Sequence, residues 1–136
     1  MKLMNIGTAT ILLLSAGGAM AACPGTPLTG AAISTLLTNN TVCVGTPGNW
    51  EAQELHVSGG SLVDYKLGPG HAVDPSEQVG TWSVDAAAGT VTHNYGPGTV
   101  YTYKMSANGG TSYSFCSTAG APEVLAKVKT GGGACP

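Results

Sequence analysis

From Thr41 onward the chain is written in short runs of alternating side chains, each cut by Gly, Pro or Asn-Gly. Strict alternation over four to eight residues is the signature of a half-buried strand, and glycine-rich breaks at such short intervals leave no room for long helices. The runs are Thr41–Val44, Trp50–Val57, Leu62–Leu67, Val79–Asp85, Thr90–Tyr95, Val100–Met105, Thr111–Ser117 and Glu123–Thr130. A loop spans Gly68 to Gln78, Ala86–Gly89 closes a hairpin, and Asn108-Gly109-Gly110 is a strong hairpin signal. Hairpin following hairpin predicts an antiparallel meander of seven or eight strands, curled into a sandwich or small barrel. Trp82 and Val84 are expected inward, and Val91, His93 and Tyr95 share a face.

One stretch reads differently. Leu28, Ala32, Leu36 and Ile33, Leu37 repeat at helical spacing over residues 28–37, with Thr29 placed to cap the start and Asn39-Asn40 to end it. One short N-terminal helix is therefore expected before the strands.

Ahead of it, residues 1–21 carry a lysine, the apolar centre Ile11-Leu12-Leu13-Leu14 and a small-x-small site at Ala19-Met20-Ala21. That is the layout of a secretory signal peptide. It leaves residues 22–136 as a single β-rich domain, secreted or periplasmic, with no membrane span. Four cysteines, Cys23, Cys43, Cys116 and Cys135, all fall in that domain. An even count in an exported chain reads as two disulfides. Proximity favours Cys23–Cys43 with Cys116–Cys135; the nested pairing Cys23–Cys135 with Cys43–Cys116 is the alternative weighed against it. A lipid anchor at Cys23 would leave an odd thiol, so parity argues against one.

Charge narrows the partners. Only 9% of the 136 residues are charged, the chain has five Lys and no Arg, and the net charge is −2. Nucleic-acid binding needs a basic face that such a chain cannot supply.

Chemistry is harder to find. No nucleophile elbow, phosphate loop or C-x-x-C pair is present. Spacing assigns no catalytic residue, metal or cofactor. The densest polar set is Glu51, Glu54, His56, Asp64, His71 and Asp74, within which Glu54 and His56 share a strand face. His93 reads as a packing residue. The aromatic residues Tyr101, Tyr103 and Tyr113, with Trp82, are the candidate ligand-binding group, since the Asn-Gly-Gly turn sets two of their strands side by side.

Leu36-Leu37-x-x-Asn40-Thr41-Val42, Asp64-Tyr65-Lys66 and Gly80-Thr81-Trp82 resemble segments of small secreted bacterial β-rich proteins of no assigned activity. Gly80-x-Trp82 is also similar to the Gly-x-Trp of lipocalin-type barrels, although there the Trp lies on an early strand and here only about four strands follow it. The resemblance implies a small β fold and no chemistry. The expected function is a non-enzymatic domain binding a protein or small ligand, an inhibitor being one form of it. The alternatives are an assembly subunit pairing through strand edges, or a small hydrolase or metal protein using Glu51, Glu54, His56 and Asp64.

Overall fold

A computed structural model describes residues 22–66, 70–72, 77–120 and 122–136. The signal-peptide reading of residues 1–21 lies outside them, as does Asp74. The elements are β1 (Thr26–Pro27), α1 (Gly30–Leu37), β2 (Thr41–Thr46), β3 (Asn49–His56), β4 (Ser61–Lys66), β5 (Glu77–Asp85), β6 (Thr90–Asn94), β7 (Val100–Gly109), β8 (Ser112–Ser117) and β9 (Val124–Lys129).

Each strand from β2 to β9 pairs antiparallel with the next, and β2 pairs with β9, Val42 opposite Val128. The result is a closed eight-stranded up-and-down barrel, with the two-residue β1 added along the end of β7. Closure pairs both edges of the barrel strands. Of the two shapes that the meander allowed, the barrel is the one formed.

Alternation then sends every second side chain inward. Val42, Val91, Met105, Phe115, Ala126 and Val128 meet in one core, and Ile33 and Leu37 of α1 close it from one end. The helix starts where expected, Thr29 accepting a hydrogen bond from the Ala32 N–H. It stops at Asn39, whose φ of 59° is left-handed, while the Asn40 amide donates to the Leu36 carbonyl. Gly30 is required by space: a side chain there would strike the backbone of Ala86 in the β5–β6 turn. Asp85 serves that turn, its Oδ1 accepting from Ala87 and Ala88. Gly80, the glycine of the Gly-Thr-Trp segment, is held the same way, with the Asn94 carbonyl of β6 occupying the place of a Cβ.

The disulfides take the third connectivity. Cys23 joins Cys116 and Cys43 joins Cys135, so neither the local nor the nested pairing forms. Barrel topology is the reason. The segment led by Cys23 runs along β7, beside β8, which carries Cys116. The C-terminal tail folds back over the outside of β2, β3 and β4: Gln53 accepts from the Cys135 N–H, the Trp50 indole donates to the Pro136 carbonyl, and the Tyr65 hydroxyl accepts from Gly133. Cys43 points out beneath that tail. Each bridge spans more than 90 residues, and closing so long a loop stabilises by roughly 4–5 kcal/mol in the chain-entropy model. Cys23 spends on this bond the sulfur that a lipid anchor would need. Two disulfides fit an oxidising location. Among the described residues no helix is long and apolar enough to cross a membrane.

Candidate functional site

An eight-stranded barrel is just wide enough for side chains to fill. Here they fill one end only. The other end holds a cavity of about 670 Å³. Val42, Val44, Val79, Phe115 and Val124 make its apolar walls, and Glu54, Asp64, Lys66, His93, Tyr95 and Tyr103 supply its polar groups.

The polar side begins on β3. Ala52, Glu54 and His56 alternate inward there, while Glu51 is exposed. On β4 the inward residues are Leu62, Asp64 and Lys66, and Asp64 stands opposite Glu54 in the pairing. The other face of these strands, with Leu55, Val63 and Tyr65, is half-buried on the outside, where Leu55 lies against Gly132 of the tail.

Across the barrel, His93 on β6 and Tyr95, just past the strand's end, reach the same place. The Tyr95 hydroxyl lies 2.9 and 2.8 Å from the two oxygens of Glu54 and donates its one hydrogen to them. It also lies 3.4 Å from Nδ1 of His93, which is 3.7 Å from Glu54 Oε1. Nε2 of His93 faces Nε2 of His56 at 3.0 Å. One of these two nitrogens carries the shared hydrogen and the other accepts it. His56 is completely buried, its ring edge-on to Trp82, and its Nδ1 has no hydrogen-bond partner.

Burial sets the charge of this row. It raises the Glu54 carboxyl to about 7, against the hydrogen bond from Tyr95 and with help from the nearby Asp64 charge. It holds both imidazoles well below the usual histidine range, His56 further lowered by His93. The two rings are therefore neutral at pH 7 and offer lone pairs. Burial also pushes the Tyr95 and Tyr103 hydroxyls upward, keeping them protonated donors.

The aromatic candidates scatter. Tyr103 lines the cavity. Tyr101 is exposed, its ring stacked beside Tyr103. Tyr113 lies at the other end, in a shallow groove with Leu28 and Leu36. Trp82 sits beneath the cavity, donating to the Val57 carbonyl. Of the polar set, Glu54, His56 and Asp64 come together, while Glu51 and His71 are exposed elsewhere. His93 and Tyr95 are the additions. The signal for them is present in the sequence, because a polar residue on the inward face of an alternating strand demands a partner.

Comparison with protein-family models, curated proteins and solved structures finds no match to the chain.

Proposed function

We propose that the protein is a secreted or periplasmic binding protein, non-enzymatic, whose barrel takes a small ligand with an apolar body and a hydrogen-bonding head. The observation that carries this reading is the cavity. Small-molecule sites are concave and mostly apolar, hold a few convergent polar groups, and measure roughly 300–1,000 Å³. The space beside Val44, Phe115 and Val124, with Glu54, Tyr95 and His93 at its side, has that make-up. Barrel closure supports it over assembly through strand edges, since each barrel strand among the described residues already pairs with a neighbour on both sides.

The test uses an uncharged apolar fluorophore. Nile red titrated into the purified, oxidised protein should bind once per chain. Val44→Trp, which fills the cavity from its wall, should weaken binding about tenfold or more, roughly 1.4 kcal/mol, with the circular dichroism unchanged. Absence of saturable uptake, or uptake indifferent to Val44→Trp in the folded variant, would overturn the reading.

A further inference from the structure

We propose that Glu54, His56 and His93 bind a divalent transition-metal ion of the zinc class at the base of the cavity, leaving one coordination position open toward it. This goes beyond the small-ligand reading and does not rest on it: His56 lies below the cavity and forms none of its wall.

Geometry is the first ground. The two imidazoles present Nε2 to Nε2 at 3.0 Å. A tetrahedral ion bonded to both at the usual zinc–nitrogen length sets such nitrogens about 3.3 Å apart. The rings need to part by only a few tenths of an ångström. Glu54 is the third ligand, since one ligand atom from each of the three residues lies within 4.8 Å of the others; its Oε1 stands 3.7 Å from Nδ1 of His93, so the carboxylate must turn toward Nε2 to share the ion. Two imidazoles and a carboxylate form the ligand set of zinc sites that keep a fourth position for water or substrate. Nitrogen donors select against calcium and magnesium, which require shells of oxygen.

The second ground is the cost of His56. A fully buried polar ring is unfavourable unless its nitrogens are satisfied. Here Nδ1 has no partner and Nε2 meets only another neutral imidazole. A metal–nitrogen bond at Nε2 would replace that single contact with a stronger one, while leaving Nδ1 as it is. The third ground is Tyr95. Its hydroxyl holds both oxygens of Glu54, as the outer partners of metal-bound carboxylates do. It is a positioning residue.

The experiment uses the oxidised protein, stripped with chelator and then given Zn²⁺ or Co²⁺ alone. Expected are one ion per chain, a rise in the thermal midpoint with Zn²⁺, and the visible absorption of tetrahedral Co²⁺. Glu54→Gln keeps the shape of the side chain and should abolish the Co²⁺ spectrum. His93→Gln should do the same. Tyr95→Phe should keep the spectrum and weaken binding by about 10- to 100-fold. A folded protein with no Co²⁺ spectrum and no Zn²⁺-dependent midpoint would overturn the site, and so would one-to-one binding that survives Glu54→Gln with His93→Gln. Nile red uptake read on the same samples separates the two readings, because its retention without metal binding removes the metal site alone.

Discussion

The two ends of the barrel are built from the same strands and have opposite interiors. At the helix end, Ile33 and Leu37 are wholly buried in one cluster with Val91, Met105 and Val128. At the other end the same strands leave about 670 Å³ beside three carboxylates, a lysine, an imidazole and two phenols. A sequence selected for stability alone would fill that volume with apolar side chains, as it does at the helix end. The difference teaches where each job lies: the plugged end holds the fold, and the open end gives up packing to hold polar groups away from water.

The sharpest way to break this contrast is to truncate one apolar side chain at each end. Leu37→Ala should lower the unfolding free energy by about 2–5 kcal/mol, because the void it leaves is sealed. Val44→Ala opens onto space that already exists and is half-exposed; it should cost about 1 kcal/mol or less. Denaturant unfolding of the two variants decides it. Equal losses would mean that the open end carries the fold as heavily as the plugged one.

The same contrast explains what could be read from the sequence. At the plugged end periodicity and apolarity agree, so the helix over residues 28–37, its Thr29 cap and the inward Trp82 and Val84 were legible. The strands were too, because Gly and Pro mark where each one stops. At the open end the two signals conflict. On β4 the more apolar face, Val63 and Tyr65, lies outside under the C-terminal tail, and Leu62, Asp64 and Lys66 face in. Apolarity alone picks the wrong face there. His93 looked like a packing residue because its partners, Glu54 and His56, stand on a strand that is not its neighbour, and only closure brings them across the barrel. The cysteine pairing was illegible for the same reason. Sequence proximity favours local bridges, whereas Cys43 meets Cys135 through a tail that wraps the outside.

A smaller effect, and one of opposite sign within the same row, comes from pH on the metal-free protein in chelator. Glu54, raised from 4.5 to about 7, keeps in the folded chain a proton that the unfolded chain sheds. Its contribution to stability is present at acid pH and is lost as pH rises through about 7. His56 and His93 run the other way. The folded chain refuses protons that the unfolded chain takes up below 6.5, so folding weakens as pH falls below that value. Between 4.5 and 6.5 the two histidines outweigh the one glutamate. Stability should then climb by about 1 kcal/mol per pH unit, the order set by one net proton, and level off near neutrality. Glu54→Gln removes the opposing contribution, so its climb should be steeper and its plateau should hold above pH 7. Denaturant midpoints across the range check both curves, and a flat wild-type profile would show that these three groups are not buried as a unit.

The smallest expected effect sharpens the comparison most locally, between two glutamates three residues apart on β3. Glu51 and Glu54 are alike in chemistry and belong to one polar cluster by sequence. The strand turns them to different surroundings: Glu51 is exposed on the outside, and Glu54 is covered, with Tyr95 on its carboxylate. Glu51→Gln should therefore change stability by no more than about 0.5 kcal/mol, as exposed surface substitutions do. It should also leave the Co²⁺ spectrum and Nile red uptake as they are. Glu54→Gln makes the same chemical change and should alter the spectrum and the pH profile together. If Glu51→Gln moved either readout as far as Glu54→Gln does, the loss would follow net charge rather than position, and the inside–outside assignment of β3 would have to be abandoned.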